Sequence, residues 1–258
     1  MIPKIIHYCW LSDDPIPPNL QRCINSWKQY CPEYKIIKWD RVRFDINSIE
    51  LVKEAYYTKK YAYAADYIRA YALYTMGGVY LDSDLMLYDN IDNLMDAKFI
   101  SAIEYHTKKK DTKLNKTRLD NNFMRISQDI KIFGIGIQAA FLASEPQHPL
   151  LKKCLDFYHN ITLAEILQKK YTAPTVLAYL AEEYGFRYLD KEQHLKENIH
   201  LFPTKIISHY DQITLKSKAV HYCAGSWTNK NFKHKLLSFI KSHRFLLTVY
   251  TKISKKFL

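Results

Sequence analysis

Strand, helix and strand follow one another inside the first 40 residues of the chain. KIIHYCW (4–10) reads as a short buried strand, closed by Ser12-Asp13-Asp14-Pro15. Pro17 and Pro18 open a helix that runs to about Tyr30, with Leu20, Ile24 and Trp27 at i, i+4 and i+7. Pro32 ends it, and YKIIKW (34–39) is a second strand. Two strands joined through a helix pair in parallel, so this order commits the chain to an α/β fold. At 258 residues and 48% hydrophobic, the chain can fill one large core. That composition excludes a disordered chain, and 6 Gly and 9 Pro exclude collagen-like or linker-dominated chains.

The middle of the chain continues the pattern. Residues 61–76, YAYAADYIRAYALYTM, predict an Ala-rich helix stopped by Gly77. VYLDSDLMLY (79–88) reads as a strand ending at an acidic pair, followed by another short strand. Further strands are expected at FISAIEY (99–105), IGIQAAFLA (135–143) and KAVHYC (218–223). Helices are expected at 148–161, with Pro149 in the first turn, and over TAPTVLAYLAEEYG, ending at Gly185. The polar, basic stretch 108–122 predicts a mobile surface loop.

Asp82 and Asp84 carry the sharpest chemical signal. In an extended chain, positions i and i+2 project to the same side, so both carboxylates converge. Two close carboxylates call for a cation, and oxygen ligands favour Mg²⁺, Mn²⁺ or Ca²⁺. Their expected place, at the end of an apolar strand beside Gly77-Gly78, is where open α/β sheets collect ligands. Asp66 and Arg69 share one helix face among Ala62, Ala65 and Ala70, which suits a guanidinium aimed at an anionic ligand. His221 closes the late strand and could add nitrogen to a Mn²⁺ site. Trp10 and Trp227 could cover a nucleobase or donate an indole N–H to a phosphate. Each residue also has a structural alternative: a solvated turn, a surface ion pair, a strand-end histidine, core aromatics. On these residues alone, a metal-dependent phosphotransferase or phosphohydrolase and a non-catalytic basic surface-binding protein both stay open.

IPKIIHYCWLSD, then AADYIRAYALYTMGGVYLDSDLMLY, then HYCAGSW, in this order, resemble glycosyltransferase family 32. These are DXD-motif sugar transferases, among them α-1,6-mannosyltransferases, α-1,4-galactosyltransferases and bacterial capsule or polysaccharide enzymes. The resemblance implies a GT-A type single domain over residues 1–228, with a Rossmann-like mixed sheet flanked by helices. It implies a retaining transfer from a nucleotide-sugar donor, a UDP-sugar in preference to a GDP-sugar, to a glycan or lipid-linked glycan acceptor. The implied cofactor is Mn²⁺, with Mg²⁺ the alternative. Asp82, Asp84 and His221 would hold the metal. Trp10 would stack on the base, Asp66 and Asp82 would bind sugar hydroxyls, Arg69 would contact donor sugar or phosphate, and Trp227 would sit at the diphosphate. Arg69, Asp82 and Asp84 are thus the implied catalytic set. Gln138 is a weak candidate for the donor-sugar face and reads more readily as a plain polar strand residue. Ala173-Pro174 stands where relatives often have Gly-Pro, which puts acceptor contacts there in question.

Charge separates off the last segment. The chain carries +12 overall, but residues 228–258 hold eight Lys or Arg and no acid, leaving +4 for the other 227. A near-neutral body argues against nucleic acid and for one localised contact. Leu236, Phe239, Ile240, Leu247, Tyr250 and Ile253 fall at helical spacing within that tail, so residues 229–258 predict a basic amphipathic helix. Such a helix suits an anionic membrane surface, the alternative being a helix packed on the domain with a solvated basic face. No stretch approaches the length of a membrane span, and the first residues do not read as a signal peptide. The five cysteines form no CxxC pair, consistent with reduced thiols. The expectation is a cytoplasmic protein, peripheral on the inner face of the membrane.

Overall fold

The structure, a computed structural model, describes residues 1–106 and 108–223. The expected C-terminal amphipathic helix, the segment 229–258 and Trp227 lie outside the described residues.

The chain opens with β1 (Ile5–Cys9), α1 (Pro18–Tyr30) and β2 (Lys35–Trp39). The strands pair in parallel, Ile5 opposite Lys35 through Cys9 opposite Trp39, as the βαβ order requires. Next come α2 (Glu50–Tyr57), which the sequence pattern did not announce, and α3 (Tyr61–Met76). Gly77, with φ 64°, ends α3. A Cβ there would lie 2.7 Å from Pro146 Cδ and 2.9 Å from Pro3 Cδ, so only glycine fits this turn. The chain runs directly into β3 (Gly78–Leu81), which lies parallel to β1. After a tight turn it forms β4 (Leu85–Leu87), and then β5 (Phe99–Tyr105).

Two expectations are corrected beyond β5. Residues 109–116 are helix α4 (Lys109–Lys116), not loop. The Asp111 carboxylate accepts from the Lys108 N–H at 3.3 Å at the helix start. The buried Asn115 amide clamps Phe133 by both its backbone groups, at 2.8 and 3.1 Å. Those caps stabilise a helix that has no apolar face of its own. The expected single strand over 135–143 is split into β6 (Ile135–Ile137) and β7 (Phe141–Ser144). Residues 138–140 leave the ladder because other groups take their backbone. Ala139 O accepts from Arg69, Ala140 O from the Asp82 N–H, and Gln138 Oε1 accepts from the Ala140 N–H.

The remaining elements are α5 (Pro149–His159), α6 (Leu163–Lys169), α7 (Ala173–Ala181), β8 (Gln193–Leu195), β9 (Ile199–Phe202), β10 (Ile207–His209) and β11 (Ala219–His221). The main sheet has the order β2-β1-β3-β7-β5-β9-β8, with β6 attached to β5. It is mixed: β7 runs antiparallel to β3 and β5, and β8 antiparallel to β9. A small second sheet, β10-β11-β4, leans on it. Alternate residues of the central strands face two cores. Tyr80, Phe99 and Ile103 join α2, α3, α5 and α7, while Val79, Leu81, Ile100 and Phe141 join α1. Trp27 of α1 is fully buried and donates its indole N–H to Leu85 O at 2.8 Å, tying the second core to β4. This layered mixed sheet flanked by helices is the α/β architecture expected of a GT-A type domain. No described helix is long and apolar enough to cross a membrane.

Candidate active site

The carboxyl ends of β1 and β3 and the amino-terminal half of α3 border a cleft of about 560 Å³. Trp10, Ala65, Arg69, Asp82, Asp84 and His221 line it. Asp82-Ser83-Asp84 is the turn between β3 and β4, closed by Leu85 N–H to Asp82 O at 2.8 Å. The two carboxylates therefore converge through a turn, not through the extended chain that the spacing implied. Antiparallel pairing of β11 with β4 puts His221 opposite Leu85 and over the turn. Its Nε2 lies 3.2 Å from Asp84 Oδ1 and 3.9 Å from Asp82 Oδ2.

Arg69 is buried behind this turn. Its guanidinium lies 2.9 Å from Asp66, 3.4 Å from Asp82, and donates to Ala139 O at 2.6 Å and Ala65 O at 3.3 Å. The Tyr80 ring lies beneath it at 4.8 Å, and the Tyr80 hydroxyl donates to Asp82 Oδ1 at 3.1 Å. One cation thus faces two acids. Burial pushes the Asp66 carboxyl up to about 7, although Arg69 opposes the shift. The shortfall of positive charge falls on Asp66, the less exposed of the two acids. At His221 burial disfavours the charged ring, but the Asp84 carboxylate outweighs it and raises the imidazole well above its usual value.

Asp66, Arg69, Asp82, Asp84 and His221 are thus brought together, and Trp10 stands on the cleft wall with its indole N–H bound to Asp14 O at 2.8 Å. Gln138 is buried between β6 and β7, and its side-chain oxygen accepts from the Ala140 N–H. Pro174 packs against Gly136, where a Cβ would approach Pro174 O to 2.7 Å.

Three nearby residues had no sequence signal that singled them out. Glu104, at the end of β5, has its carboxyl raised by burial, an effect that His221 and His209 partly offset. His209 at the end of β10 and Cys223 beyond β11 meet at 3.0 Å, and Cys223 Sγ also lies 3.4 Å from His221 Nδ1. Register between β10 and β11, a long-range property, sets His209 opposite His221, and Cys223 follows β11 onto the cleft wall.

Ligand atoms of Asp82, Asp84 and His221 lie within 4.8 Å of one another. Two carboxylates and an imidazole are a donor set that fits a hard-to-borderline divalent cation. A cation held by these acids, with the buried arginine alongside, could neutralise a diphosphate.

Residues 17–100, which carry Asp66, Arg69, Asp82 and Asp84, match the family described as "Glycosyltransferase sugar-binding region containing DXD motif". The match gives residues 17–100 the character of the sugar-binding region of a DXD-motif glycosyltransferase. Among solved structures it is similar to the PaToxG glycosyltransferase, at 14% identity over 70% of this chain and 69% of that one, TM-score 0.48. It is similar to mouse xyloside xylosyltransferase 1, at 12% identity over 84% and 97%, TM-score 0.47. It is also similar to the galactosyltransferase LgtC, whose structure holds donor and acceptor sugar analogs, at 12% identity over 92% and 95%, TM-score 0.43. A comparison with curated proteins gives no match. The glycosyltransferase assignment rests on the match over residues 17–100.

Proposed function

We propose that the protein is a metal-dependent, retaining glycosyltransferase that moves a sugar from a nucleotide-sugar donor to a glycan or lipid-linked glycan acceptor in polysaccharide synthesis. The carrying observation is the convergence of Asp82, Asp84 and His221 beside Arg69. In this reading Asp82, Asp84 and His221 hold Mn²⁺, with Mg²⁺ the alternative. The bound ion supplies Lewis-acid neutralisation of the departing nucleoside diphosphate. Arg69 orients Asp82 and turns its remaining N–H groups toward donor sugar or phosphate. Asp66 fixes Arg69 and offers an oxygen to donor hydroxyls. Trp10 covers the base, a UDP-sugar being preferred over a GDP-sugar, and Trp227 serves the diphosphate. His221 must give up its second proton to become a ligand, so metal affinity falls as the pH drops. Departure of a neutralised diphosphate leaves its own oxygen to assist the acceptor on the same face, so no side chain is nominated as a base.

The basic segment 229–258 is proposed to hold the enzyme on the cytoplasmic leaflet, near a lipid-linked acceptor. A panel of UDP- and GDP-sugars with Mn²⁺ tests the donor reading. One donor should raise the melting temperature and release its nucleoside diphosphate only with metal present. Full turnover in excess EDTA would overturn the metal-dependent mechanism.

A further inference from the structure

The outer edge of the main sheet holds a second cluster of ligand-bearing side chains, far along the sheet from β3. His194 of β8 and His200 of β9 lie directly opposite in the antiparallel pair. Their rings stack at 4.1 Å between centroids, with 27° between planes. Glu192 precedes His194 by two residues, and ligand atoms of Glu192, His194 and His200 lie within 4.8 Å of one another.

His200 is buried, and both its nitrogens meet carboxylates: Nδ1 lies 2.8 Å from Asp96 Oδ1, and Nε2 lies 2.8 Å from Glu192 Oε1. A neutral imidazole carries one N–H. With that N–H given to Asp96, the Nε2 lone pair would face the carboxylate of Glu192 at contact distance. Two lone pairs do not rest there without a cation between them, which is either a second proton or a metal ion. A proton accounts for His200 and its two acids but gives the stacked His194 no part. A metal uses all three donors, and Asp96 then has the place of the outer carboxylate that orients a metal-bound histidine.

We propose that Glu192, His194 and His200 form a second metal site, of Zn²⁺ type, separate from the Asp82–Asp84–His221 group. Two imidazoles and one carboxylate favour Zn²⁺, Co²⁺ or Ni²⁺ over Mg²⁺ or Ca²⁺. Ligand bonds of about 2.0–2.2 Å in a tetrahedral arrangement need roughly 3.3 Å between donor atoms. The Nε2–Oε1 gap therefore opens by about half an ångström, and the His194 ring turns out of the stack to aim its lone pair at the same point, adjustments that the exposed Glu192 and His194 side chains can supply. The backbone between the two histidines is already fixed. Glu197 and Asn198 are both left-handed, at φ 59° and 53°, and Glu197 O accepts from His148 Nε2 at 3.0 Å. The ion clips the terminal strand β8 to β9 and, through Asp96, to the loop before β5. An edge strand of three residues gains the most from such a clip.

Equilibrium dialysis of the untagged, full-length protein against micromolar Zn²⁺ tests this, with His194→Ala and Glu192→Gln in parallel. Both substituted side chains are exposed, and metal-free melting curves of all three proteins establish that they fold alike. The wild type should retain one Zn²⁺ per chain more than His194→Ala. At a hundredfold excess over Kd, Zn²⁺ should raise the wild-type melting temperature by about 5 °C more than that of the variant. Glu192→Gln should bind Zn²⁺ at least tenfold more weakly at this site. Equal Zn²⁺ content in wild type and His194→Ala overturns the proposal and assigns the cation to a proton on His200.

Discussion

Replacing Arg69 by Met removes a buried cation from between two acids, and the structure sets the size of the damage. The guanidinium lies 2.9 Å from Asp66 and 3.4 Å from Asp82, and satisfies Ala139 O at 2.6 Å. Stripping one partner from a buried ion pair costs about 3–5 kcal/mol. Asp66 limits that cost by taking up a proton. Its carboxyl already titrates at about 7 in the fold, against a reference value of 3.8. Between those values the native state holds a proton that the unfolded chain has lost. The contribution of Asp66 to stability is therefore present at low pH and declines as the pH rises toward 7. Without Arg69 the folded value rises further, so the decline continues above pH 7. The variant should lose about 2–3 kcal/mol near pH 6 and about 4–5 kcal/mol near pH 8, or roughly 5–10 °C and 10–15 °C in melting temperature. Differential scanning fluorimetry in EDTA, at both pH values, gives the comparison. Arg69→Lys should fall between wild type and Met, because it keeps the charge and loses the fork. An equal deficit at the two pH values would refute the account of Asp66, and a melting temperature within about 2 °C of wild type would refute the account of the cluster.

Asp82→Asn and Asp84→Asn should each lower turnover by about 10²–10⁴-fold while leaving a cooperative melt, read by nucleoside diphosphate release. His7 is wholly buried, receives the Trp39 indole N–H at 3.0 Å and bonds Gly77 O at 2.8 Å, and burial lowers its pKa to about 4. Its neutral form thus supplies about 3 kcal/mol above pH ~6.5 that is lost as the pH falls toward 4, and His7→Gln should flatten that part of the stability–pH curve. Trp10→Ala should raise the donor KM and remove most of the fluorescence change on adding nucleoside diphosphate; an unchanged KM would return Trp10 to the core. Full-length protein should co-sediment with anionic liposomes at low salt and release as salt rises, and truncation after Thr228 should abolish binding; indifference to anionic liposomes would sink the membrane proposal.

The parts of the fold that were legible are those set by local rules. Pro18 and Trp27 mark α1, the alanines and Gly77 bound α3, and the apolar runs either side of Asp82 and Asp84 are β3 and β4. The Asp66–Arg69 face was legible because three-residue spacing on a helix fixes it. What escaped depends on partners far along the chain. The break at residues 138–140 exists because Arg69 and Asp82 bind the carbonyls of Ala139 and Ala140, about 70 and 58 positions away. Helix α4 exists through Asn115 and its bonds to Phe133, which no propensity scale registers. His209 comes opposite His221 through the register of β10 on β11, and Cys223 follows β11 onto the cleft wall.

Four of the five cysteines are buried, and the exposed one, Cys223, forms part of the cleft wall. The folded molecule thus carries one native address for covalent chemistry, already at the place of interest. Burial lifts the Cys9 and Cys154 thiols to about 12, which makes them poor nucleophiles. At Cys223 the imidazoles of His209 and His221 outweigh burial and lower the thiol below its ordinary value. A haloacetamide should therefore mark a single position in native protein and all five in denaturant. Its rate becomes a gauge of occupancy: anything that seats against the wall shields the thiol, whether or not it is turned over. Electrophilic fragments could be screened on the unaltered chain, with the labelled residue reporting where each one landed.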